Sequence, residues 1–111
     1  MASSTGSWMH EITYTLNNVK EHIRARHMYP GEQGKSCFLS TCETTVWKMV
    51  EETFLNPDVT TRHRSDENRI VLRKKFLWPV GVHGRNRALC FFVTVIYDKS
   101  DRRIVTAFPT A

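Results

Sequence analysis

RIVLRKKFLW (residues 69–78), ALCFFVTVIY (88–97) and RRIVTAF (102–108) decide the fold. These runs are rich in β-branched and aromatic residues, which fit a pleated, half-buried surface, and from Val59 onward the apolar period shortens from about 3.6 residues to 2. They read as strands. Pro79 with Gly81, and then 84–87, punctuate the first pair, while Asp98-Lys-Ser-Asp101 makes a short hairpin-like connection into the last. Upstream, Ile12, Leu16, Val19 and Ile23 recur at helical intervals and lay one apolar stripe along a helix over about 11–26. Pro30, Gly31 and Gly34 break that pattern, so residues 27–39 are expected as a loop. Ser40 and Glu43 have capping-box spacing and open a second helix, on which Val46, Trp47, Val50 and Phe54 share a face. Asn56-Pro57 closes it. Two N-terminal helices packed on a C-terminal antiparallel β-sheet make an α+β fold.

The 111 residues suit one domain, expected over 10–111, and 41% hydrophobic content suffices for one core. Residues 1–9, with their Ser, Thr and Gly, are expected as a disordered leader outside it. The net charge of +5 favours polyanionic partners. The longest uncharged apolar run, 88–97, is about half of what a membrane helix needs, and the first residues lack the charge and apolarity of a signal peptide. No membrane association is expected. Three cysteines are too few for a disulfide framework and point to a reducing workplace, with a Cys37–Cys42 bridge left open. Cys37 beside Phe38, and Cys90 inside an apolar strand, read as small core residues.

Chemistry concentrates in the pair His22 and His27, in Lys35 and Ser36 of a Gly-containing loop, and in Thr106 with Phe108. Metal-free RNA cleavage needs a group to take the proton of a ribose 2′-OH, one to protonate the departing 5′-oxygen, and a cation for the charge gathered on phosphorus. Two imidazoles can share the proton transfers because they titrate near neutrality, and a lysine ammonium supplies the cation. Which histidine is acid and which is base stays open. Residues five apart on an ideal helix differ by about 140° around its axis, so His27 is expected beyond the helix end. Thr106 and Phe108, two apart on a strand, project to one side and offer a hydroxyl beside an aromatic face. Arg26, Arg62 and Arg64 are the expected substrate-contacting cations, with His63 between the last two. Other Lys and Arg residues interleave with Tyr29, Phe76 and Trp78, a mixture suited to single-stranded RNA.

The order His-Ile (22–23), His27, Pro-Gly (30–31), Gly-Lys-Ser (34–36), Phe38, Asn-Pro-Asp (56–58), Val-Gly-Val (80–82) and Ile-Val-Thr-Ala-Phe-Pro (104–109) resembles the bacterial EndoU family over about 21–109. The resemblance implies an EndoU/RNase A-like fold. It also implies that His22 and His27 are the catalytic histidines, Lys35 the catalytic lysine and Thr106 the threonine before the terminal aromatic. The implied reaction leaves a 2′,3′-cyclic phosphate and a 5′-hydroxyl without metal or cofactor. Such domains often serve as toxins against cellular RNA, including tRNA, acting in the cytoplasm of a target cell. The expected partners are RNA and an acidic cognate immunity protein, and the expected state is a monomer. Two features depart from the pattern. Phe108 stands where the family usually has tyrosine, so a phenolic hydroxyl is lost. Only Ile-Arg-Ala-Arg separates the histidines, where many relatives carry a glycine-rich stretch, and His10 is the reserve for His22.

Two readings from other classes compete. One is a non-catalytic RNA-binding domain that keeps only the basic surface. The other is a zinc-stabilised interaction module using His22, His27, Cys37 and Cys42, two pairs with four-residue gaps. Gly31-x-x-Gly-Lys-Ser is not a P-loop, because its spacing is two residues short and no strand precedes it.

Overall fold

In a computed structural model, residues 2–28, 33–40 and 42–111 are described, with the side chains of 2–14 excepted. Tyr29, Pro30 and Gly31, and the side chains of His10 and Ile12, lie outside that set.

The first helix, α1, runs Ala2–His27. It begins well before the expected start, so from Ala2 on the segment expected as a leader is helical backbone continuous with the rest. Leu16, Val19 and Ile23 are buried as their spacing requires. Burying such side chains contributes about 1.5–3 kcal/mol each. The second helix, α2 (Glu43–Leu55), buries Val46, Trp47, Val50 and Phe54.

The capping box does not form. Cys42 is the residue before α2, and its carbonyl accepts the Val46 N–H at 3.2 Å. The Ser40 hydroxyl accepts the Cys42 N–H at 3.1 Å, and the Glu43 carboxylate goes to Arg24, so neither side chain is left to cap the helix. Asn56 ends α2 as expected, with its N–H on the Glu52 carbonyl at 2.8 Å.

Among the described residues seven strands follow in chain order: β1 (Cys37–Phe38), β2 (Val59–Arg62), β3 (Arg69–Lys75), β4 (Gly81–Val82), β5 (Leu89–Cys90), β6 (Phe92–Asp98) and β7 (Arg103–Thr110). They form two antiparallel sheets, ordered β2-β3-β6-β7 and β1-β4-β5. The single expected sheet is therefore two. The run 88–97 divides at Phe91, with β5 in the small sheet and β6 in the large one, because the Phe91 carbonyl turns to the Phe76 N–H at 2.8 Å while the Cys90 carbonyl pairs with Val80. β3 stops at Lys75, short of Trp78. Likewise β1 lies inside the expected loop, and β4 occupies the segment read as punctuation. Two-residue strands carry no period to detect.

Both helices pack on one face of the large sheet, against Leu72, Val93, Val95, Tyr97, Ile104 and Ala107. Phe54 meets Tyr97 edge-on, with ring centroids 5.1 Å apart. Ile104 and Ala107 both face this core although they are three apart. The register shifts at Ile96/Tyr97, where Ile96 pairs with Thr106 and Tyr97 with Ile104. That bulge inserts Val105 and turns Thr106 and Phe108 away from the core. The small sheet docks on β7 through Gly81, where any Cβ would collide with the Pro109 ring and come 2.7 Å from the Cys37 carbonyl oxygen. β1 thereby delivers Lys35 and Ser36, and β4 delivers His83 and Gly84, to the same edge of the large sheet. No helix among the described residues is long and apolar enough to cross a membrane.

Candidate functional site

The last turn of α1, the segment before β1, the turn after β4 and the β7 edge enclose a cleft of about 570 Å³. His22, His27, Lys35 and Thr106 all line it, as do Phe108, Ser36 and Arg26. The two imidazole centroids are 5.8 Å apart at 64°. His27 is the last residue of the helix, not a residue beyond it. The rings still meet because helical Cα–Cβ bonds tilt toward the N-terminus, which leans the His27 side chain back over the turn that carries His22.

Each histidine is held by a different element. His22 Nε2 lies 2.9 Å from Thr106 Oγ1. His27 Nδ1 donates to the Ser36 carbonyl at 2.9 Å, an arrangement that leaves Nε2 as the acceptor of the neutral ring. Its other neighbour is Phe108, with centroids 5.5 Å apart at 34°. Burial pushes the His27 pKa below the ordinary imidazole value. The Ser36 carbonyl opposes that shift, and the charges of His22, Lys35 and Arg26 reinforce it. The shift favours the neutral form of His27, whose Nε2 is then free to accept a proton.

The Arg24 guanidinium braces this end of α1 by donating to Glu43 Oε1 from Nε at 3.0 Å and from Nη2 at 2.6 Å. The same contact holds the Glu43 carboxyl below the usual carboxylate range. Lys20 and Arg24 lie over the Trp47 ring at 5.4 and 5.9 Å, so α1 and α2 are joined beside the site by cation–π contact as well.

His83, Gly84 and Arg85 also line the cleft, and sequence reasoning missed them as site residues. Ser36 ties them in: its hydroxyl accepts the Gly84 N–H at 3.1 Å while its carbonyl orients His27. A Cβ on Gly84 would come within 2.5 Å of the Lys35 carbonyl carbon, so only glycine lets the two loops touch. The Arg85 N–H donates to His83 Nδ1 at 3.1 Å, which leaves the proton of a neutral His83 ring on Nε2. A glycine between a histidine and an arginine was the only signal in the sequence.

Arg62 and Arg64 do not line this cleft among the described residues. Arg62 ends β2, the edge strand opposite β7, three strand spacings or about 14 Å across the sheet. Charge identified them as cations without saying which edge carries them. Among the described residues no group of three or more His, Cys, Asp or Glu could hold a metal ion, so the quartet of the competing zinc reading does not assemble. Cys37 is buried in β1 and Cys42 is exposed at the start of α2.

Compared with protein-family models, with curated proteins and with solved structures, the chain shows no significant match to any of them.

Proposed function

We propose that this protein is an endoribonuclease of the EndoU-like, RNase A-like kind, cleaving single-stranded or loop RNA by 2′-OH attack. The observation that carries the reading is the meeting of His22, His27 and Lys35 around one cleft, with Thr106 on the first imidazole and Phe108 against the second. His27 Nε2 takes the 2′-hydroxyl proton, the 2′-oxygen bonds to phosphorus, and the bond from phosphorus to the 5′-oxygen breaks. His22 protonates that oxygen. The products are a 2′,3′-cyclic phosphate and a 5′-hydroxyl, no water is consumed, and the proton lost at one oxygen is replaced at the other. Lys35 stabilises the charge on the non-bridging oxygens, Arg26 and Ser36 lie along the bound strand, and Phe108 offers a base a stacking face. The side chains thus supply every proton and cation the step needs, so the proposal includes no metal and no cofactor.

A basic domain with this chemistry suits a toxin that acts on RNA such as tRNA in the cytoplasm of a recipient cell, paired with an acidic immunity protein that covers the cleft. Incubation with mixed RNA in EDTA tests the reading. Cutting is expected to persist and to fall by roughly 10²- to 10⁴-fold in His27→Ala. Tight RNA binding with the RNA left intact would replace it with the RNA-binding-domain reading.

A further inference from the structure

Beyond Thr106 and Phe108, which meet the last turn of α1, the face of the large sheet opposite the core has no role assigned so far. Register places Phe108, Thr94 and Arg73 side by side across β7, β6 and β3, and Thr110, Phe92 and Lys75 side by side one step further along. Phe108 belongs to the cleft described above. Phe92 and Lys75 border a second cavity of about 440 Å³, whose remaining wall includes Phe76, Leu77 and Phe91. Phe108 and Phe92 are diagonal neighbours on paired antiparallel strands, roughly 7–8 Å apart. One nucleotide bridges such a span.

Composition distinguishes this end of the sheet from ordinary solvent-facing surface. Leu77 is 94% exposed, Trp78 55% and Phe91 37%, a local concentration of uncovered apolar side chains of the kind that marks a binding surface. The Phe76 and Trp78 rings pack at 5.9 Å. The Arg73 guanidinium carbon sits 4.3 Å from the Phe92 ring centroid, held there by Nη2 donating to the Ala111 oxygen at 2.8 Å. The adjoining Asp58 carboxylate is taken up by the Lys75 backbone N–H at 2.8 Å and lies 3.9 Å from Lys74 Nζ. Aromatic faces alternating with cations, continuous with the cleft through Phe108, match unstacked bases alternating with phosphates.

We infer that the cavity at Phe92 and Lys75 is a second nucleotide subsite, binding a base and phosphate of the RNA strand whose scissile linkage lies in the histidine cleft. This rests on the ribonuclease reading. It makes the substrate an unpaired stretch several nucleotides long, running from the cleft at Phe108 past Phe92 toward Lys75 at the end of β3. A dinucleotide fills only the cleft.

The test uses 2′-O-methyl RNA of two and eight nucleotides, which lacks the attacking hydroxyl, with binding to the full chain followed by fluorescence anisotropy. Phe92→Leu is expected to weaken the octamer by roughly tenfold and to leave the dinucleotide unchanged. Lys75→Gln, at an exposed position that carries no risk to folding, is expected to lower the slope of log affinity against log salt for the octamer by about 0.7. Octamer binding identical to wild type in Lys75→Gln and in a folded Phe92→Leu overturns the inference. So does a concentration-dependent dimer that Leu77→Ser abolishes with octamer binding intact, because the surface then belongs to a second copy. If wild type cuts RNA through His27 and these variants behave normally, the subsite alone falls. If the octamer binds through Phe92 and no RNA is cut, the ribonuclease reading falls and the subsite stands.

Discussion

Replacing Gly84 by alanine probes how the lysine loop is positioned while leaving in place every side chain that handles protons or charge. The new Cβ would overlap the Gly34 carbonyl oxygen and lie 2.5 Å from the Lys35 carbonyl carbon and 2.7 Å from the Gly34 carbonyl carbon, all backbone atoms that no rotamer change can move. Restoring the 3.4 Å of ordinary contact requires the two loops to part by about 1 Å. The Gly84 N–H bond to Ser36 then stretches, and Lys35 moves with its backbone. Overpacking costs about 1–3 kcal/mol in a core, and this partly open edge should sit near the lower limit. That corresponds to a melting temperature about 4 °C below wild type. A catalytic group misplaced by about 1 Å costs on the order of 10²-fold in rate, so kcat should fall far more than stability does. Steady-state cleavage of a short fluorogenic RNA beside thermal melts reads both quantities. Wild-type kcat in a Gly84→Ala protein that melts normally would refute the argument that this contact positions Lys35.

Lys35→Ala, which removes the proposed stabilising cation, should lower kcat by about 10²- to 10³-fold with little change in melting temperature, checked by the same two assays. Thr106→Val keeps the shape but deletes the 2.9 Å partner of His22 Nε2. Its kcat should drop by about tenfold with a displaced pH–rate profile, whereas Lys35→Ala, which removes one of the charges that depress the His27 pKa, should move the limb set by His27 to higher pH. The His27 pKa is depressed by burial first, with the Ser36 carbonyl opposing and the neighbouring cations adding to the shift. Unfolded His27 therefore takes up a proton near pH 6.5 while the folded ring resists, and the unfolded state binds the extra proton between 6.5 and the lower folded value. The stabilising difference is whole above that window and is lost as pH falls through it. Denaturant melts at pH 7.5 and 5.5 should show wild type losing stability that His27→Gln retains.

Long periodic elements could be read from the residues because their burial repeats. Leu16, Val19 and Ile23 on one helix, and Val93 and Val95 on one strand, declare a face with no knowledge of what covers it. The small sheet could not be read this way. Cys37–Phe38, Gly81–Val82 and Leu89–Cys90 are each too short to show a period, and their sheet closes on Pro109 at Gly81, where a side chain would not fit. The helix start at α2 failed for a related reason. Ser40 and Glu43 had the right spacing, but Arg24, nineteen residues upstream of Glu43, competed for the carboxylate. At the site, His22, His27, Lys35 and Thr106 stand out in the sequence for what their side chains can do, and folding brings them to one cleft. His83 and Arg85 come there through a glycine contact and a backbone bond to Ser36, both long-range features that leave no local pattern. Arg62 and Arg64 show the converse: charge states what a residue can attract and not where the fold carries it.

Mass spectrometry of the ends of a defined oligoribonucleotide, after brief exposure in EDTA to wild type and to His27→Ala, tests the central claim most directly. The account predicts 2′,3′-cyclic phosphate and 5′-hydroxyl ends from wild type and intact strand from the variant. Ends bearing a 3′-hydroxyl and a 5′-phosphate, or equal cutting by both proteins, would contradict it.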